Sequence, residues 1–193
     1  MSGRLERRAA MAMLVEGRAD DLLIVPGLGS TTYDLAAAGD NPKNFYLWGA
    51  MGGAAMIGLG LALAQPQTRV AVITGDGEML MGLGALATIG IQKPGNLAII
   101  VFDNGVYGET GMQPSHTQSG VDLVGVARGC GFATCLEVTD EAGLRDLAAR
   151  LKTLRETLFA RVLIEANEPP RVLPERDGTV LKQRFRAALG VKA

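Results

Sequence analysis

The sequence predicts an α/β fold: a doubly wound, mostly parallel sheet with helices on both faces. Three observations point there. Short apolar runs, several rich in β-branched residues, recur at "LLIV" (22–25), "RVAVIT" (69–74), "LAIIVF" (97–102) and "RVLIEA" (161–166). Helix-length segments separate most of them, which is the alternation of a parallel sheet. The runs are continuously apolar rather than alternating, as strands buried on both faces must be.

Taken in order, "MSGRLERRAAMAMLVEGR" mixes charges with alanine and methionine and lacks the unbroken apolar core of a secretory signal, so it reads as an amphipathic helix. "PGLGSTTYD" is the loop after the first strand. "LWGAMGGAAMIGLGLALA" (47–64) is uncharged and close to the length of a membrane span, about 18 residues. Five of its residues are glycine and five alanine, and its flanks lack basic anchors, so a buried helix over 51–64 is the better reading. Helices follow over 79–91, 121–129, 141–158 and 179–189, with "FATCLEV" (132–138) a further strand. The prolines and charges of "NEPPRVLPERDG" (167–178) make a linker, leading to a basic amphipathic helix that serves either to dock a partner or to cap the sheet.

A chain of 193 residues suits one α/β domain, 1–193, with 167–193 as linker and terminal helix. The net charge of -1, evenly scattered, excludes the electrostatic footprint of nucleic-acid binding or of an anionic membrane surface. Cys130 and Cys135 match neither a zinc site nor a redox pair, which fits two core residues in a reduced, cytoplasmic compartment. A small-molecule ligand is the default. In such a sheet it binds beyond the carboxyl ends of the strands, at the loops that enter the helices.

The most informative of those loops is "TGDGE". An aspartate between Gly75 and Gly77 at a strand tip can bring backbone N–H groups and a carboxylate to one ligand, because glycine crowds nothing. The helix N-terminus near Glu78 favours phosphate, yet the Asp76 carboxylate repels it unless a cation lies between them. This suggests a metal–phosphate site bridged by Mg²⁺. One strand later, Asn104 offers a side-chain oxygen, and the Gly105-Val106 turn can present a backbone carbonyl to the same hard cation. Alone, either residue would be an ordinary turn residue. The absence of G-x-G-x-x-G after a strand argues against a dinucleotide-binding domain.

"GDGEMLMGLGALATIGIQKPGNLAIIVFDNGVYG" resembles the fingerprint of the thiamine-diphosphate-dependent enzyme family, Gly-Asp-Gly followed after the next strand by asparagine. The resemblance covers about residues 20 to 167 and implies the thiamine-diphosphate-binding fold, with thiamine diphosphate and Mg²⁺ as cofactors. It implies Asp76, Asn104 and Val106 as metal ligands, and Gly75, Gly77, Glu78 and Tyr107 beside them at the cofactor. "LWGAMGG" is similar to the family segment whose backbone carbonyl, here that of Gly49, meets the pyrimidine amino group, and whose apolar side chain, here Met51, wedges under the bent cofactor. "GLGST" resembles a loop touching the diphosphate, through Ser30.

The family also needs a glutamate on the pyrimidine ring, supplied by a separate pyrimidine-binding domain that has no counterpart in this sequence. The resemblance therefore implies a partner α subunit carrying that glutamate in a hetero-oligomer, with the glycine-rich surface near 49–64 as interface. "DNGVYGETGMQPSHT" is similar to the loop of the sulfopyruvate and phosphonopyruvate decarboxylases, which implies nonoxidative decarboxylation of a small 2-oxo acid to an aldehyde. A subunit of an acetolactate-synthase-like carboligase and a noncatalytic cofactor-binding regulatory module are the alternatives. His116, the one histidine, could relay a proton, bind an anionic substrate tail or fix its own loop, with Glu109 and Gln113 as weaker candidates. Residues 94–127 contain no lysine or arginine, so the counter-charge for an anionic tail is expected from the partner.

Overall fold

The computed structural model describes residues 4–191; the first three residues of the predicted N-terminal helix, and the last two of the chain, lie outside them. In chain order the elements are α1 (Arg7–Val15), β1 (Leu22–Pro26), α2 (Ser30–Ala38), α3 (Ala54–Ala64), β2 (Arg69–Gly75), α4 (Asp76–Met81), α5 (Ala85–Gln92) and β3 (Leu97–Asp103). A small hairpin, β4 (Val106–Tyr107) and β5 (Gln113–Pro114), flanks a 3-10 turn; α6 (Leu123–Gly129), β6 (Thr134–Val138), α7 (Glu141–Lys152), β7 (Leu158–Leu163) and α8 (Gly178–Ala188) follow.

Five strands form one parallel sheet in the order β1-β2-β3-β7-β6. Successive side chains on a strand point to opposite faces, and here both faces are covered. On one face Leu22, Ile24, Ala71, Ile73, Ala98, Ile100, Ala160 and Val162 pack with Met11 and Leu14 of α1 and Leu144, Leu147 and Leu151 of α7. On the other Leu23, Val25, Val70, Val72, Leu97, Ile99, Val101 and Phe159 pack with Ala55 and Leu59 of α3, Leu86 and Ile89 of α5, and Leu123 of α6. Full burial of each such aliphatic side chain stabilises the fold by about 1.5–3 kcal/mol relative to exposure. The doubly wound architecture is as the apolar runs predict, and "FATCLEV" does carry a strand.

The departures have local causes. The helix expected over 141–158 stops at Lys152, and the last strand starts at Leu158 rather than Arg161. Leu154 and Leu158 prolong the helical spacing of Leu144, Leu147 and Leu151, but Leu158 is recruited into the ladder opposite Ala98 and Thr134. The helix expected over 79–91 is two helices broken around Gly82. A Cβ on Gly82 would stand 2.2 Å from the carbonyl oxygen of Gly52, so the close approach of the 49–53 turn sets the break. Helix α2, not expected from "STTYD", is started by the Thr31 and Thr32 hydroxyls donating to Gly27 O at 3.1 and 2.8 Å.

Helix α8 turns back onto its own chain, with Leu181 and Phe185 buried and Phe185 5.1 Å from Phe45. It caps the β1 edge. The segment before it is extended, held by Arg7 to Asn167 O, Arg8 to Pro170 O and Trp48 Nε1 to Glu175 O. Among the described residues no helix is long and apolar enough to cross a membrane. Both cysteines are free and half-buried.

Candidate functional site

At the carboxyl ends of β1, β2 and β3 the chain encloses a cleft of about 190 Å³. Ser30, Met51, Gly75, Asp76, Gly77, Glu78, Asn104, Val106 and Tyr107, nine of the residues singled out in the sequence, line it together. They come from four separated stretches, which the parallel sheet gathers because each of its strands ends on this side.

Asp76 is the first residue of α4 and is only 2% exposed. Its Oδ2 accepts from the Ser115 hydroxyl in a short bond and from Thr117 Oγ1 at 3.1 Å. Burial, then the neighbouring Asp103 carboxylate, pushes Asp76 above the usual carboxylate range, while the two hydroxyls hold it partly down. Thr117 Oγ1 also stands 2.9 Å from Asp103 Oδ1. A threonine hydroxyl carries one hydrogen, so it can donate to only one of these carboxylates at a time. Asp103 is neutralised on its other oxygen by Arg161 Nε at 2.7 Å. No ion pair involving Asp76 is present among the described residues.

A buried carboxylate facing a second one, with hydroxyls but no cation of its own, fits a divalent ion as counter-charge. The donor set agrees in hardness, all oxygen. The Asn104 Oδ1 accepts from Val106 N at 3.0 Å, and the left-handed Gly105 between them, φ 76°, makes the turn. Gly75 and Gly77 lack side chains for different reasons. A Cβ on Gly77 would meet the Tyr107 ring at 2.4 Å, whereas one on Gly75 meets nothing within 4 Å and projects into open space. The latter is room for a ligand to approach the backbone. Helix α4 is only six residues long, so its dipole is weak and free N–H groups, rather than a long macrodipole, are what it offers an anion.

The Glu78 side chain is also buried, and its carboxylate is committed to Leu28 N, Thr74 Oγ1 and Gly52 N at 2.9, 2.8 and 3.3 Å. Burial raises its pKa against those bonds. Met51 is 39% exposed, too open for a core residue, and follows Ala50, whose φ of 58° is uncommon for a side chain with a Cβ. Gly49 stands at the start of the same turn, exposed, outside the cleft lining.

His116 does not line the cleft. It is exposed, with Nδ1 3.4 Å from the Tyr107 hydroxyl at the rim. Glu109 does line the cleft and pairs with Arg171 at 3.2 Å, so the extended segment delivers to the rim a positive charge that residues 94–127 lack. Gln113 is spent locally on Thr110. Sequence reasoning missed Ser115, Thr117, Asp103 and Arg161. Asp103 alone carried a signal, a carboxylate ending a wholly apolar strand.

The sequence profile described as "Thiamine pyrophosphate enzyme, C-terminal TPP binding domain" matches residues 28–166, which include every element that lines the cleft. The chain belongs to the thiamine pyrophosphate enzyme family. It is similar to the sulfopyruvate decarboxylase subunit beta of Methanothermobacter thermautotrophicus, 44% identical over 181 residues that make up 94% of each chain. It is also 38% identical to the phosphonopyruvate decarboxylase of Streptomyces viridochromogenes over 96% of this chain but 47% of that protein. The chain thus spans about half the length of that curated relative and nearly all of the beta subunit. Among solved structures, benzoylformate decarboxylase from Polynucleobacter necessarius superposes with a TM-score of 0.71 over 86% of this chain and 34% of that one, at 20% identity, a likeness of fold. These matches agree with the family and the fold that the Gly-Asp-Gly fingerprint implied.

Proposed function

We propose that this chain is the diphosphate-binding β subunit of a heteromeric, thiamine-diphosphate-dependent decarboxylase of small 2-oxo acids, of the sulfopyruvate or phosphonopyruvate type. The observation that carries the reading is Asp76, a buried carboxylate with no ion pair among the described residues, in a cleft shared with Asn104 and Val106. In this reading the Asp76 carboxylate, the Asn104 amide oxygen and the Val106 carbonyl would hold Mg²⁺, which would supply the positive charge that a diphosphate needs beside a carboxylate. Thiamine diphosphate, when bound, supplies the electron sink that accepts the pair left behind as CO₂ departs.

The remaining work falls to the protein. Gly75 would let the diphosphate reach the backbone, Ser30 would donate to it from the start of α2, and Tyr107, packed over Gly77, walls the cleft. The Gly49 carbonyl would meet the pyrimidine, and the half-exposed Met51 would pack against the cofactor. His116 sits where it can exchange a proton with the Tyr107 hydroxyl at the entrance.

A partner α subunit supplies the activating glutamate. The match to nearly the whole of a beta subunit, but to half of a phosphonopyruvate decarboxylase, supports a second polypeptide completing the site. Its seat is the side of the molecule where Met56 and Leu63 of α3, Met81 and Ile91 stand exposed. We place the complex in the cytoplasm.

Calorimetric titration of thiamine diphosphate and Mg²⁺ into this chain, alone and copurified with a candidate pyrimidine-domain partner, tests the reading. Saturable, Mg²⁺-dependent binding that tightens with the partner is expected, followed by CO₂ release from a 2-oxo acid. Absence of binding in both preparations would overturn it.

A further inference from the structure

We infer that Glu78 is a positioning residue: its carboxylate locks the turn at 49–53, just ahead of α3, to the loop after β1. Helix α3 starts behind Gly52 and Gly53, and its N-cap makes no side-chain hydrogen bond. A helix start leaves its first N–H groups without intrahelical partners, and a carboxylate is the strongest acceptor for them. Glu78, from α4, places a carboxylate against the turn just ahead of that start. Its Oε1 accepts from Gly52 N at 3.3 Å. Its Oε2 accepts from Leu28 N at 2.9 Å and from Thr74 Oγ1 at 2.8 Å.

One carboxylate therefore joins the ends of β1 and β2, the turn ahead of α3 and the start of α4. The surroundings leave room for nothing else. A Cβ on Gly27 would lie 1.8 Å from Glu78 Oε2, so only glycine admits the carboxylate there. Gly52, with φ 89°, turns the chain so that its N–H faces Glu78 while Gly82 packs against its carbonyl. The left-handed Ala50 is held between these anchors and the helix, and Gly49 and Met51 flank it. Glu78 acts on the pyrimidine side of the cofactor through this turn, a consequence that rests on the proposed function, whereas the clamp itself rests on the geometry alone.

The test compares the full chain with its Glu78→Gln and Gly27→Ala variants. Glutamine keeps one acceptor oxygen but turns an N–H₂ toward a row of donors, and the added methyl at residue 27 displaces the carboxylate. Hydrogen exchange of the Leu28 and Gly52 amides should accelerate about tenfold or more in both variants, with the amides of β2, β3 and α7 unchanged. In the Mg²⁺ complex with partner, affinity for thiamine diphosphate should fall more than affinity for inorganic pyrophosphate, which lacks the pyrimidine. Unchanged exchange at those two amides, or a uniform acceleration throughout the sheet, would overturn the inference. Failure of the wild-type chain to bind cofactor would sink the functional reading instead and leave the exchange comparison decisive for the clamp.

Discussion

Two kinds of buried carboxylate stand within this fold. Asp34 and Asp103 are each 1% exposed and each is held by arginine, Asp34 by Arg7 Nε at 2.8 Å and Arg8 Nε at 3.3 Å, Asp103 by Arg161. Asp76 and Glu78 are 2% and 4% exposed and, among the described residues, are met by hydroxyls and backbone N–H groups rather than by arginine or lysine. The first pair has its compensation built in and serves architecture, pinning α1 to α2 and β3 to β7. The second pair lies at the carboxyl edge of β2 and leaves one charge, that of Asp76, to be balanced from outside. The difference marks where the protein stops being scaffold.

The comparison breaks most violently at Asp34. Asp34→Ala strands two guanidinium groups, Arg7 nearly buried, and should lower stability by about 3–5 kcal/mol in urea titrations. Asp76→Asn should do the opposite to the cofactor-free chain, leaving its stability equal or higher because repulsion from Asp103 is gone. Mg²⁺-dependent binding of thiamine diphosphate should then fall about a hundredfold or more, a loss on the order of 2.7 kcal/mol read by calorimetry. A destabilised Asp76→Asn chain would erase the distinction between the two kinds.

How much of this could be read from the sequence follows the same division. The strands were legible because complete burial writes itself as continuous apolar runs, and Gly75-Asp76-Gly77 with Asn104 was legible because glycine at a strand tip and an oxygen side chain on the next are local signals. Ser115 and Thr117 were not, since a hydroxyl in a polar loop looks alike whether it faces water or Asp76. Arg161 was hidden by chain distance, 58 residues from the Asp103 it neutralises. The split of the helix at Gly82 depended on a carbonyl belonging to Gly52 and could not be seen in local spacing.

Smaller changes sharpen the contrast. Thr117→Val removes the hydroxyl between Asp76 and Asp103 without altering shape, and should cost about 1 kcal/mol of stability together with a several-fold loss of Mg²⁺ affinity. If the two losses are not seen together, Thr117 belongs to the scaffold group. Met51→Ala should leave the midpoint of thermal unfolding within about 2 °C, given its exposure, while lowering kcat of the reconstituted complex. The smallest effect is expected at Ala50→Gly, where relief of the left-handed strain is offset by a more flexible unfolded chain, leaving a net change within about 1 kcal/mol.

The strand order carries a consequence for how the molecule comes into being. Strand β7 lies between β3 and β6, yet it is the last strand of the sheet to leave the ribosome. While residues 104–157 are being translated, β3 keeps a bare edge, β6 has no neighbour, and Asp103 waits for Arg161 with its charge still in water. Arrival of β7 closes the sheet and delivers that guanidinium in the same event. The nascent chain thus dries the carboxyl edge last, and any pause before Arg161 holds open the corner where Asp76 sits.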